Sequence, residues 1–268
     1  MLLAVVLSTL LATASPALPN VSYVTVVVME NRNYNSIVGN DDASYINATL
    51  IRQGALLRNS RGVTHPSQPN YLALFAGSTQ AVTSDACPLN FPSANLASRL
   101  AAAGKRFVGW SESLPHDGYE GCFEDSVYAR KHAPWVDFAK IPASASLVYH
   151  GLPVPNMPEV SFVVPNLCND MHDCSTRRGD SWLAKNLPPI IAWNATHAGL
   201  LIVTWDEADP DYGGNRIPTI LVGPMVKPGS ESLQYVDHYG VLRTIESFFG
   251  LPCIAKDCRA ATISGIWQ

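Results

Sequence analysis

The chain has 268 residues, 47% of them hydrophobic and 15% charged, with 18 basic against 22 acidic side chains and a formal net charge of −4. That length and apolar content can bury a large core, and one α/β domain is expected. No basic run exceeds two residues, so a nucleic-acid partner is not expected. Residues 1–18, MLLAVVLSTLLATASPAL, form an apolar run followed by small residues, the pattern of a secretory signal and its cleavage zone, although without a basic start. Its uninterrupted apolar part falls short of the ~20 residues that span a bilayer. Cys87, Cys122, Cys168, Cys174, Cys253 and Cys258 are even in number, as in disulfide-bonded exported proteins, and with no Cys-x-x-Cys a zinc site is the weaker reading. Cys168/Cys174 and Cys253/Cys258 are close enough to staple local loops, leaving Cys87 and Cys122 as the third pair. Sequons at Asn20, Asn47 and Asn194 agree with glycosylation on a eukaryotic secretory route. The expected location is therefore outside the cell or in its wall.

In chain order, residues 24–29 (VTVVVM) form a β-branched run typical of a central strand buried on both faces. The run ends in Glu30-Asn31, and functional groups of open α/β sheets gather at the carboxyl ends of strands. Residues 63–77 hold Ser67 between Pro66 and Pro69, ahead of a short helix expected over 71–76. A hydroxyl at a helix start meets free N–H groups and the positive end of the helix dipole, which suits either a helix cap or a nucleophile for a phosphoryl group. A helix is expected over 94–103, stopped by Gly104, and a strand over 106–110. The strand 160–164 (VSFVV) precedes a loop that crowds Asp170, His172 and Asp173 between Cys168 and Cys174. The strand 200–204 (LLIVT) leads through Trp205 into Asp206-Glu207, so a second strand ends in oxygen ligands. A further strand at 217–222 and a helix over 239–249, with His238 just ahead of it, complete the pattern. Strands alternating with helices imply a single α/β domain with a mostly parallel central sheet flanked by helices. His150 and His197 read as surface residues, and His132, in an exposed-looking basic patch, reads as structural when taken alone.

Two strands ending in carboxylates and an amide, with a serine at a helix start, supply the parts of an oxygen-rich metal site with a nucleophile. The stretches Val28 to Tyr34, His65 to Tyr71, Tyr128 to Pro134, Val164-Pro165-Asn166 with Asn169 to Asp173, Trp205-Asp206-Glu207, and His238-Tyr239 with Arg243 to Glu246 together resemble the phosphoesterase family of secreted acid phosphatases and bacterial phospholipases C, within the alkaline-phosphatase-like superfamily. The match runs in order over nearly the whole chain after about residue 22.

The resemblance implies an alkaline-phosphatase-like fold and phosphoryl transfer through a phosphoserine. Ser67-Gln-Pro-Asn resembles the Thr-x-Pro-Asn of nucleotide pyrophosphatases, whose threonine is the nucleophile, so Ser67 takes that role and Thr64 is its rival. Glu30, Asn31, Asp206 and Glu207 match metal-binding positions, with Ser67 as a further ligand of a divalent metal ion. Asp206-Glu207 stands where the superfamily often has Asp-His, which favours a hard ion over a two-zinc cluster. Asn70 and Asp170 are expected on the substrate side, and His172, His132 and His238 are the candidate acid, base or phosphate-binding groups. The expected activity is a secreted acid phosphatase acting on small phosphate monoesters. The alternatives are a phospholipase C-type phosphodiesterase or an inactive binding protein of the same fold. With no basic amphipathic helix evident, stable membrane association is not expected.

Overall fold

The computed structural model describes residues 18–210 and 213–268. The signal segment expected over 1–18 lies, but for its last residue, outside the described residues. Ten strands occur among them: β1 (Tyr23–Met29), β2 (Ala55–Arg61), β3 (Phe107–Ser111), β4 (Phe123–Glu124), β5 (Tyr128–Ala129), β6 (Ser146–Val148), β7 (Val160–Val164), β8 (Gly199–Trp205), β9 (Arg216–Val222) and β10 (Ser230–Asp237). The helices are α1 (Tyr34–Ile37), α2 (Ile51–Gln53), α3 (Ser67–Ala76), α4 (Leu96–Ala102), α5 (Thr176–Asn186), α6 (Pro188–His197) and α7 (His238–Phe248).

Eight strands form one sheet in the order β10-β2-β9-β8-β1-β7-β3-β6. β9 runs antiparallel to both neighbours and the other pairs are parallel, so the expected mostly parallel sheet is present. Because side chains alternate across a strand, β1 feeds two cores. Val24, Val26 and Val28 pack with Phe75 of α3, Leu100 of α4 and Leu242 of α7 on one face. Val27 and Met29 pack with Ile37 of α1, Leu183 of α5 and Ile190 of α6 on the other. Strands covered on both faces can be continuously apolar, which explains why β1, β7 and β8 are buried almost end to end.

At the centre of the sheet β1 and β8 run parallel and in register, with Met29 opposite Trp205. The dipeptides that follow, Glu30-Asn31 and Asp206-Glu207, therefore leave the sheet side by side. The helix expected over 71–76 begins at Ser67 instead, with Pro66 as its N-cap. Pro69 is no obstacle, because the first N–H groups of a helix have no intrahelical acceptor. At the far end Gly77 closes α3 with φ of 63°, a left-handed position glycine takes at no steric cost. There the Lys256 N–H donates to the Gly77 carbonyl at 2.9 Å.

The three expected disulfides are formed: Cys87–Cys122, Cys168–Cys174 and Cys253–Cys258. Two of the expected glycosylation positions do not fit the folded chain. Asn194 is 1% exposed, and the Asn47 amide nitrogen donates to the Ile37 and Ala43 carbonyls at 2.8 Å each, so neither nitrogen has room for a sugar. Asn20 is exposed.

Glu246 on α7 is fully buried 3.6 Å from Arg243. Burial and the neighbouring Asp257 carboxylate push its carboxyl up to about 9. The folded chain then keeps a proton that the unfolded chain releases near its ordinary value of 4.5. Between those two values the native state binds more protons, so this group's contribution to stability is complete below the lower value and is lost as pH rises toward the upper one. Glu246→Gln should flatten the decline in melting temperature between about pH 5 and pH 9, measured side by side with wild type. Parallel curves would show that Glu246 titrates alike in both states.

Candidate active site

Ser67 is 1% exposed, and its hydroxyl makes no cap bond within α3. Its Oγ lies 3.1 Å from Glu30 Oε2, 3.3 Å from Glu207 Oε1 and 3.4 Å from Asn31 Oδ1. One hydroxyl proton can serve only one of these acceptors. The helix-cap reading of Ser67 is thereby set aside, since Pro66 holds that position and the hydroxyl faces the strand ends. Thr64 is no substitute, because its hydroxyl donates to the His65 carbonyl at 3.2 Å. Asn31 has φ of 42°, a left-handed conformation that asparagine tolerates better than most residues. Its N–H donates to Asp206 Oδ1 at 3.2 Å, tying the two strand ends together.

Four carboxylates, Glu30, Asp170, Asp206 and Glu207, are buried in this region. Burial and the charge of Glu207 push Asp206 up to about 7, and burial with the nearby Asp85 pushes Glu207 up to about 7. Burial, then Asp206 and Asp170, hold Glu30 well above the usual carboxylate range. Oδ2 of Asp206 and Oδ2 of Asp170 are buried without a hydrogen-bond partner. Crowded, desolvated acids with orphaned oxygens have the chemistry of a cation site. Glu30, Asn31, Ser67, Asp206 and Glu207 offer only oxygen, the donor set of a hard divalent ion. The residues present therefore fit the metal that the sequence implies.

Behind this group the Tyr71 hydroxyl donates to Glu30, and its ring stacks on His132 at 5.2 Å. His132 is not the exposed basic residue expected from its neighbours. It is 2% exposed, with Nε2 3.4 Å from Glu30 and Nδ1 3.5 Å from Asp170. Burial, then the Lys131 and His172 charges, hold its imidazole well below the ordinary value. Glu30, His132 and His172 also converge closely enough for one atom of each to share an ion, their ligand atoms lying within 4.8 Å of one another. His172 is partly exposed, with Nδ1 2.6 Å from Asp173 Oδ1 and Nε2 3.5 Å from Lys131 Nζ. Its loop is closed by Cys168–Cys174 and anchored where the His172 N–H donates to Asp170 Oδ1 at 2.7 Å.

Three of the expected site residues are held by contacts within the chain. Asn70 accepts from the Val63 and Thr64 N–H groups and donates to the Thr64 and Pro66 carbonyls, so all its bonding capacity fastens the loop ahead of Ser67 and none is left for substrate. Asp170 is fully buried, its Oδ2 3.5 Å from His132 Nδ1, and its Oδ1 holds the His172 loop by accepting the His172 N–H. His238 is buried and its Nε2 donates to the Asp206 carbonyl at 2.5 Å, which ties it to the end of β8. Four neighbours of the site escaped sequence reasoning: His65, with Nδ1 2.5 Å from Glu207 Oε2, Tyr71, Asp85 and Lys131. His65, Tyr71 and Lys131 lie inside the stretches that carry the family resemblance, and that proximity was the available signal. Asp85 had none, as it reaches the site through a long loop.

Residues 40–252 match the family model described as the Phosphoesterase family. The chain belongs to this family. Among relatives of this phosphoesterase, it is 43% identical over 259 residues to a phosphatidylinositol-3-phosphatase of Mycobacterium tuberculosis, covering 95% of this chain and 85% of that protein. It is 29% identical over 232 residues to a phosphate-repressible acid phosphatase of Penicillium chrysogenum, covering 79% of this chain and 56% of that protein. The phosphoesterase thus spans little more than half the length of the Penicillium protein. Among solved structures, a Vibrio parahaemolyticus protein of the alkaline phosphatase superfamily aligns with TM-score 0.59 at 9% identity, over 91% of this chain and 71% of that one. A phosphonate monoester hydrolase of Agrobacterium radiobacter aligns with TM-score 0.58 at 14% identity, over 90% and 76%. At such identities the likeness establishes the fold, and the fold is alkaline-phosphatase-like.

Proposed function

We propose that the chain is a metal-dependent phosphatase that hydrolyses phosphate monoesters through a phosphoserine at Ser67, and that it is exported as an acid phosphatase. The observation that carries this reading is the Ser67 hydroxyl at the start of α3, ringed at 3.1–3.4 Å by oxygens from the ends of β1 and β8. Glu30, Asn31, Ser67, Asp206 and Glu207 would hold a divalent ion, which would supply Lewis acidity to the serine hydroxyl and positive charge for the phosphoryl oxygens. Ser67 Oγ attacks phosphorus in line; the new Oγ–P bond forms as the bond to the leaving alkoxide breaks. Glu30 Oε2, at 3.1 Å, is the nearest acceptor for the serine proton. His172 is the best placed of the three histidines to protonate the leaving oxygen, because it is partly exposed while His132 and His238 are sealed inside. Water then attacks the phosphoserine and frees inorganic phosphate.

The substrate named for the Mycobacterium tuberculosis relative is also a phosphate monoester, carried on an inositol headgroup, so the monoester reading covers both kinds of relative. No helix among the described residues is long and apolar enough to cross a membrane. The test compares p-nitrophenyl phosphate, phosphatidylinositol 3-phosphate and phosphatidylcholine vesicles. Release of inorganic phosphate from the first two is expected. Faster release of diacylglycerol from the third would replace this reading with a phospholipase C.

A further inference from the structure

Asp85 lies in the loop between α3 and α4, two residues before the Cys87–Cys122 bridge. Its carboxylate spans two donors beside the nucleophile: Oδ1 accepts the Gln68 N–H at 3.0 Å, and Oδ2 accepts Lys131 Nζ at 2.8 Å. Gln68 follows Ser67 and is the second residue of α3, so its N–H is one of the donors at the positive end of the helix that have no acceptor within the helix. The Lys131 side chain is 12% exposed and points toward His172 Nε2, 3.5 Å away. Its positive charge counters the raising of the Glu30, Asp170 and Glu207 carboxyls by burial. A phosphoryl group transferred to Ser67 needs donors for its oxygens within a bond or two of Oγ. The Gln68 N–H, next to Ser67 in the chain, and the Lys131 ammonium, beside His172, already grip an anion belonging to the chain itself. A carboxylate and a phosphate cannot both stay charged on one ammonium and one N–H, because like charges at that range repel strongly. The Asp85 side chain is 30% exposed, which gives it a way out toward solvent.

We propose that Asp85 is an internal stand-in for the substrate's phosphoryl group: it fills a phosphate subsite made of the Gln68 N–H and the Lys131 ammonium, and substrate binds by displacing it. The inference rests on the phosphatase reading of the same site. Displacement weakens the capture of substrate and, equally, helps product phosphate to leave, since Asp85 returns to its donors as the product departs.

Asp85→Asn keeps the shape and an acceptor for the Gln68 N–H but removes the anion that competes for Lys131. On the protein as purified, calorimetric titration with inorganic phosphate should give a Kd about tenfold lower than wild type, the scale of one charge-assisted hydrogen bond. With p-nitrophenyl phosphate, KM and the competitive inhibition constant of phosphate should fall in parallel, with kcat falling by less. Adding Lys131→Met to Asp85→Asn should reverse the gain. Where Asp85→Asn fails to fold, Asp85→Ser takes its place, retaining a hydroxyl acceptor for the helix start. Weaker phosphate binding in the Asp85 variant would make Asp85 a fixed strut for Lys131 and overturn the proposal, and unchanged binding would overturn it too. A wild type that hydrolyses no monoester overturns the phosphatase reading, while the phosphate titration still decides the role of Asp85.

Discussion

Ser67→Ala should abolish turnover of phosphate monoesters, lowering kcat by about 10⁴-fold or more, as loss of a covalent nucleophile does elsewhere. The fold should survive. Ser67 Oγ supports no backbone group of α3, alanine is the best helix former, and the helix is held in the core by Leu72, Leu74 and Phe75. The melting temperature is expected to stay within about 5 °C of wild type. Rapid quenching of wild type with labelled substrate should trap phosphate on the peptide containing Ser67, and none in the variant. A Ser67→Ala protein that still turns over would move the nucleophile elsewhere, and Thr64 is not in position to take the part.

Asp206→Asn carries the second large expectation. Asparagine retains an oxygen for the Asn31 N–H but removes one of the negative charges that a divalent ion would neutralise. Metal affinity should drop by about 100-fold or more, at or beyond the upper end seen when an outer-shell partner of a metal ligand is lost. Activity should fall with it and recover in part in excess metal. Ion binding to the native state raises wild-type melting temperature by mass action, and the rise should be smaller in the variant. Because ligands must be ionised to bind, affinity in wild type should also weaken on acidification. Calorimetry that finds no divalent ion bound to wild type, together with full activity in Asp206→Asn, would remove the metal from the reaction.

Strands β1, β7 and β8 were legible because a strand covered on both faces leaves a continuous β-branched run that little else imitates. β2 (ALLRNSR) and β10 (SESLQYVD) were not. β10 is an edge strand, with Leu233 74% and Tyr235 61% exposed, so no run of buried residues marks it. α5 and α6 hid for a related reason: Thr-Arg-Arg-Gly-Asp opens the first on polar residues, and Pro188-Pro189 opens the second on residues that read as a loop. In the site, the strand-end dipeptides and Ser67 could be placed because their geometry follows from local rules, namely where strands end and helices begin. Asn70 could not, since whether an amide faces a ligand or its own loop depends on the path of residues 63–66. Asp85, 18 residues after Ser67 in the chain and in contact with its neighbour Gln68, is a product of tertiary folding that no spacing announces.

The parallel pairing of Met29 with Trp205 sets a limit on how this protein can vary. Successive residues of a strand point to opposite faces, so deleting one residue from β8 would turn Asp206 away from Ser67 and exchange every aliphatic side chain of the strand between the two cores. Replacing one aliphatic residue by another keeps the frame. Variation in β1 and β8 is therefore confined to exchanges at constant length, and insertions or deletions that alter which phosphoester is accepted must fall in the loops around the strand ends.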